Sequence, residues 1–167
     1  MKRIFNRSFL LVAILIFGIG CKDSGSNQNG ETGEVNVYYE EETAAFEAYQ
    51  HSDYQKCIKI TSDLIRKDSF NASNYYLRAS AKWAEGDGKG AKSDYLSSSN
   101  LDYRVSDCYY SMGILEMFLN DAQAQRYLEK AIENYKGPGK GVELSLIKKK
   151  LAEVKERLNR KDLNPKN

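Results

Sequence analysis

Three short segments of the chain stand at one phase of a 34-residue period: SDYQKC (52–57), GDGKGA (86–91) and NDAQAQ (120–125). Asp53, Asp87 and Asp121 recur at that interval, as do the small residues Ala45, Ala79 and Gly113 and the pair Tyr75 and Tyr109. A fixed period of this length describes a supersecondary unit that cannot bury its apolar face alone, so neighbouring units must stack into a continuous core. Only two prolines occur in 167 residues, which suits helices as the repeated element. The same phase disposes of a tempting alternative. GDGKGA is rich in glycine and carries a lysine, but a phosphate-binding loop needs G-x-x-x-x-G-K-[ST] between a strand and a helix. Here the spacing differs, no Ser or Thr follows the lysine, and the segment upstream is helical. It reads as a helix-to-helix turn, with Gly88 giving up an aromatic contact that Tyr54 supplies one repeat earlier. Gly90, inside the next helix, costs up to about 1 kcal/mol relative to alanine. The joint is therefore expected to be the loosest of the array.

Each unit contains a large residue, a small residue and a turn in the first half, and a small residue and an aromatic or leucine in the second. The second unit has Tyr75, Ala79, Gly86-Asp87, Ala91 and Tyr95 in that order; the third has Met112-Gly113, Asn120-Asp121, Ala124, Leu128 and Ala131. Its second helix runs one residue early, so one residue is missing near its turn. The first has Ala45, Ser52-Asp53-Tyr54, Cys57 and Leu64, with Glu41 where a large apolar residue is usual. This pattern resembles the tetratricopeptide repeat, with units at about 38–71, 72–105 and 106–136. It departs from the family in lacking the closing proline, whose places hold Ser69 and Tyr103 in the first two units. The resemblance implies an all-α, right-handed superhelix of three helix pairs with a concave groove built from the first helices.

After Gly137-Pro138-Gly139-Lys140-Gly141, Leu144, Ile147, Leu151, Val154 and Leu158 form one narrow apolar stripe at 3-4-3-4 spacing. A helix over 141–160 is expected to cap the third pair. The same stripe could serve as a seam with a partner helix or a second copy, but about two heptads make a short coiled coil.

The N-terminus reads MKRIFNRSFLLVAILIFGIGC, with Lys2, Arg3 and Arg7 ahead of an apolar run from Phe9 to Ile19. This is the order of a secretory signal, and the run is short for a membrane span, which needs about 20 apolar residues. Gly20-Cys21 resembles the end of the lipobox of bacterial lipoproteins, with Gly18 in place of the usual leucine. The resemblance implies a signal peptide over 1–20 and lipidation of Cys21. Residues 21–36, polar and rich in Gly, Ser and Asn, are expected to be a flexible tether. Loss of Lys2, Arg3 and Arg7 from the 25 basic residues leaves them one short of the 23 acidic ones, a near-neutral chain with no electrostatic case for nucleic acid. Lys22 is not the aspartate that retains some lipoproteins in an inner membrane, so an outer-membrane location is expected, with its side open.

No catalytic constellation emerges. The one histidine, His51, sits at a helix end beside Ser52 and Asp53, and sequence neighbours do not make a triad. One histidine and the widely spaced Cys57 and Cys108 do not build a zinc site. Those two cysteines are one and a half repeats apart, further than the roughly 7 Å a disulfide spans between Cα atoms, so two free thiols are expected. No cofactor, metal or small-molecule substrate is expected, and no enzymatic activity. Carrying the family's groove positions onto this chain gives Tyr39, Glu42, Phe46 and Tyr49, then Tyr76, Ser80 and Trp83, then Tyr110, Ile114, Met117 and Phe118. Of these, Tyr39, Phe46, Tyr49, Tyr76, Trp83, Tyr110, Ile114, Met117 and Phe118 form the expected partner-binding set, since aromatics and methionine carry much of the energy of protein interfaces. The lysines and asparagines of the carboxylate clamp found in chaperone-binding relatives are missing, so apolar peptide segments are the expected ligands. The function these observations imply is a lipid-anchored scaffold of the bacterial envelope that binds an unidentified protein partner, an accessory to envelope assembly or secretion. The alternative is a self-associating structural lipoprotein, a homodimer through its last helix or its groove.

Overall fold

The computed structural model describes residues 31–138 and 141–163; the expected signal peptide, Cys21 and the first part of the expected tether lie outside them. Among the described residues the regular secondary structure is all α-helix: α1 (Glu31–Gln50), α2 (Tyr54–Lys67), α3 (Ala72–Ala84), α4 (Gly88–Asn100), α5 (Val105–Glu116), α6 (Asp121–Glu133) and α7 (Leu144–Leu163). Sequential helices pack as antiparallel pairs, α1 on α2, α3 on α4 and α5 on α6, and each pair stacks on the next. The result is a helical-repeat superhelix closed by α7. Helix α1 begins at Glu31, inside the segment expected to be a tether to residue 36. Once a packed turn exists, each further helical residue adds a backbone hydrogen bond at little extra cost, so a helix extends beyond its apolar contacts.

The period of the sequence is the period of the hydrogen bonds. His51, Ser52 and Asp53 donate their backbone N–H groups to the carbonyls of Glu47, Tyr49 and Ala48 at 2.9, 3.0 and 2.8 Å. Glu85, Gly86 and Asp87 repeat the set to Ala81, Trp83 and Lys82 at 3.1, 3.0 and 2.9 Å. Asp53 then caps α2, accepting from the Lys56 N–H at 3.2 Å, and Asp87 caps α4, accepting from the Gly90 N–H at 2.8 Å. The left-handed residue of this turn is Gly86 in the second pair (φ 87°) but Ser52 in the first (φ 62°). Gly90 does not sit in open space: a Cβ there would stand 2.8 Å from the Asp87 Cγ, so its absence admits the tighter of the two caps. The glycine-rich joint is thus closed by the same bonds as its counterpart.

The third turn differs because a residue is missing. Asn120, not Asp121, caps α6, accepting from the Gln123 N–H at 3.1 Å. Asp121 becomes the first helical residue, and Arg157 and Lys161 of α7 converge on it.

Small residues let the helices of a pair approach: Ala45, Ala79, Ala91, Ala124 and Ala131 are fully buried, and a Cβ on Gly113 would lie 2.8 Å from the Leu128 Cγ. Between α3 and α4 the buried Asp94 accepts two bonds from Arg78, at 2.8 and 2.7 Å, and pairs with Lys82 at 2.9 Å. Such a carboxylate is tolerated inside because both oxygens are satisfied. Glu41, anomalous for its repeat position, pairs with Lys67 of α2 at 2.6 Å. Cys57 and Cys108 are both buried and unbridged, and burial pushes each thiol up to about 11.

Helix α7 lays Ile147, Leu151 and Val154 against Ala124, Leu128 and Ala131 of α6, with Leu158 half-buried beside them. Its apolar stripe is therefore taken up inside the molecule, which makes it a cap and leaves no seam for a coiled coil.

Candidate partner-binding groove

The concave side holds an open groove of about 400 Å³ between α1, α3 and the turn before α5. Helix α1 supplies Glu42, Phe46 and Tyr49, α3 supplies Asn74, Tyr76, Leu77 and Ser80, and the turn supplies Tyr103 and Arg104. Residues of α3 reach it because Asn71 caps that helix, its carboxamide oxygen accepting from the Ser73 N–H at 3.2 Å. Arg104 has a left-handed backbone (φ 45°), which turns the chain sharply into α5.

Tyr76 is the centre of the wall. Its ring meets Tyr95 edge-on at 5.6 Å and Tyr103 at 5.9 Å, and the Arg104 guanidinium lies 4.8 Å over its face. Burial raises its phenol well above the ordinary range, only partly countered by Arg104, so it is a neutral donor at any physiological pH. Tyr49 stacks at a tilt on Tyr54, 5.6 Å away, and burial raises its phenol too. Phe46, by contrast, is 51% exposed. It is an apolar side chain held at the lip with half its surface in water.

The charges in the groove are already engaged. Glu42 accepts from the Asn71 carboxamide at 2.8 Å and the Asn74 carboxamide at 3.5 Å. Arg104 donates to the buried Asp107 at 2.6 Å. Ser80 lies 3.2 Å from the Tyr95 hydroxyl and donates to the Tyr76 carbonyl at 3.0 Å. What the groove offers a ligand is aromatic surface with a polar but electrically settled rim.

The structure brings together only three of the nine residues expected to bind a partner: Phe46, Tyr49 and Tyr76. Trp83 packs into the core near Tyr95, with ring centroids 6.5 Å apart. Tyr110 and Met117 pack onto the core shared by α6 and α7, and Ile114 is half-buried on the same helix. Tyr110 and Met117 of the third repeat are thus taken up by the core that α6 shares with α7, and the groove lies on the first two repeats. Tyr39 does not line this groove; it stands in a separate shallow depression with Glu40, Thr43, Ala44 and Glu47. Phe118 lies past the end of α5, 85% exposed in the turn. Tyr103 and Arg104 escape a reading based on first-helix positions because they sit in the turn between α4 and α5, at the end of the second unit. The signal for Tyr103 was an aromatic in the place of the closing proline.

Among the described residues, no group of three or more His, Cys, Asp or Glu side chains is arranged to hold a metal ion, and no helix is long and apolar enough to cross a membrane.

No family model matches the chain, and no curated protein matches it. Solved structures do. The Yersinia enterocolitica type III secretion translocator chaperone SycD superposes with a TM-score of 0.72 at 17% identity, covering 82% of this chain and 97% of that one. The same chaperone in complex with a peptide of the translocator YopD gives 0.66 at 19% identity, covering 78% and 98%. The TPR2B domain of yeast Sti1, in a complex with pHsp70, gives 0.64 at 17% identity, covering 72% and 97%. The fold defined by these likenesses is that of a tetratricopeptide-like domain.

Proposed function

We propose that this chain is a lipid-anchored scaffold of the bacterial cell envelope whose tetratricopeptide-like domain holds an apolar segment of a partner protein in the groove between α1, α3 and residues 103–104. The observation that carries the reading is the half-exposed Phe46 facing the Tyr76 wall across an open concavity of about 400 Å³. An aromatic surface of this kind gains from excluding water around an inserted apolar side chain, and its rigidity keeps the entropy cost of binding low. Because Glu42 and Arg104 already have partners, a neutral segment fits better than a charged one. Similar folds that carry peptides in their solved complexes, such as SycD with a YopD peptide, support a peptide ligand here. The charged n-region, apolar run and Gly20-Cys21 support export and anchoring at Cys21, and Lys22 in place of a retaining aspartate supports the outer membrane as the destination. On this reading the chain is an accessory to envelope assembly or secretion, by analogy with other lipoproteins of this fold.

A photo-crosslinking residue placed at position 46 or 103 in cells tests the groove, with position 59 on exposed α2 surface as the control. A shared adduct at 46 and 103, absent at 59 and lost in a Tyr76→Ala chain that retains its helical circular dichroism, is the expected result. Equal adducts at all three positions would remove the groove from the function. For the anchor, Cys21→Ser should abolish lipid labelling and release the chain from the membrane fraction; an unchanged fraction would defeat it.

A further inference from the structure

The two ends of the array carry opposite charge. Helix α1 contains six glutamates and no lysine or arginine. Helix α7 contains seven lysines and arginines against three acidic residues. Helix α1 packs on α2 and α3, and among the described residues no other helix packs closely on its outer side. That side holds a shallow depression of about 300 Å³ between Tyr39, Glu40, Thr43, Ala44 and Glu47, bordered on one edge by Tyr39, 65% exposed, and on the other by Val37, 50% exposed. Glu40 and Glu47 form no ion pair among the described residues, whereas Glu41 is held by Lys67. At the other end, α7 spends its apolar stripe on α6 and turns Leu146, Lys148, Lys149 and Ala152 outward. Lys150, Lys155, Arg157 and Lys161 have carboxylate partners at 2.6–3.2 Å, but Lys148 and Lys149 form no ion pair among the described residues.

We infer that the outer face of α1 docks a second copy of this chain, receiving the outer face of its α7. The lysine stems of the second copy lie along Tyr39 and Ala44, as long cationic side chains do on apolar surface, and their ammonium groups reach Glu40 and Glu47. Leu146 of the second copy meets the apolar flank at Val37 or Tyr39. The contact joins different surfaces, head to tail, so it propagates into short rows and does not close as a two-fold dimer. It uses none of the residues that line the groove, so the two can be tested separately.

Charge swapping tests this in the full chain, extracted in a mild non-ionic detergent. Variant X carries Glu40→Lys and Glu47→Lys, which makes both ends basic. Variant Y carries Lys148→Glu and Lys149→Glu, which makes both ends acidic. Differently tagged wild-type copies should co-purify, and recovery should fall about tenfold when X is paired with X or Y with Y, because attraction becomes repulsion. X paired with Y should restore recovery, and 0.5 M salt should weaken both the wild-type and the X–Y association, since exposed pairs are screened. Wild-type copies that do not co-purify would overturn the proposal. So would X–X or Y–Y recovery equal to wild type, or failure of X with Y while both variants keep wild-type circular dichroism.

Discussion

Gly113 is the smallest residue at a position where the other repeats have alanine, and the structure says why. A Cβ built there would lie 2.8 Å from Leu128 Cγ and 2.9 Å from Leu128 Cδ2, with the Leu128 backbone nitrogen at 3.4 Å. Leu128 is fully buried, so it cannot swing into solvent. Gly113→Ala therefore sets two terms against each other. Overpacking a fixed core typically costs about 1–3 kcal/mol, while replacing glycine in a helix interior returns about 1 kcal/mol. The net expectation is a loss of about 0–2 kcal/mol, seen as a lower urea midpoint with an unchanged slope. The decisive measurement is the double-mutant cycle with Leu128→Ala, which alone costs about 2–5 kcal/mol. In that background the added methyl has room, so Gly113→Ala should stabilise by about 1 kcal/mol. The coupling between the two sites is then about 1–3 kcal/mol. If Gly113→Ala stabilises the wild-type chain by the same amount as it stabilises the Leu128→Ala chain, close approach is not the reason for the glycine and the packing argument for the whole small-residue series fails.

Ser52 occupies the left-handed position that Gly86 fills in the next turn, so Ser52→Gly should raise stability by about 0.5–1 kcal/mol in urea unfolding, and Gly86→Ala should lower it by a comparable or larger amount. Asp121 is held below the usual carboxyl range first by its hydrogen bonds to Arg157 and then by Lys161. A lowered carboxyl pKa gives stability that is present above its unfolded value, ordinarily 3.8, and is lost as pH falls through the folded value. The acid limb of the stability curve should accordingly be flatter in Asp121→Asn than in wild type, and an identical limb would contradict the assignment. Cys57 and Cys108, buried and raised to about 11, should resist alkylation at pH 8 in the native chain and react fully in urea. A native mass lighter by two hydrogens before reduction would show a disulfide instead.

The array was legible because its period is enforced by backbone geometry. Asp53 and Asp87 recur because a helix start needs a side-chain acceptor, and Ala45 and Ala79 recur because two helices must meet there. The groove was less legible. Groove positions are defined on first helices, yet which of them stay open depends on how far the cap reaches across the concave side. Nothing in the spacing of Leu144, Ile147, Leu151, Val154 and Leu158 says that Tyr110 and Met117 will fall against it. Nor does helical phase reveal Tyr103 and Arg104, whose positions come from the turn between α4 and α5, where Arg104 is left-handed.

The missing residue of the third turn ties these two observations together. In the first two repeats the aspartate of the 34-residue period is spent on capping its own helix. In the third, the deletion moves Asn120 into the capping place and leaves Asp121 one residue inside α6, only 7% exposed and with both oxygens available. A buried carboxylate at a helix start gains from the dipole but still needs cationic partners. Arg157 supplies two hydrogen bonds, at 2.9 and 2.6 Å, and Lys161 a third at 2.8 Å. Arg157 also reaches the Met117 carbonyl at 3.3 Å, a group of the same irregular turn. The departure from the repeat thus adds a polar clamp to the apolar contact that holds α7 on α6, and the core those helices share takes in Tyr110 and Met117. The irregular turn marks where the array stops repeating, and the open groove lies on the first two helix pairs.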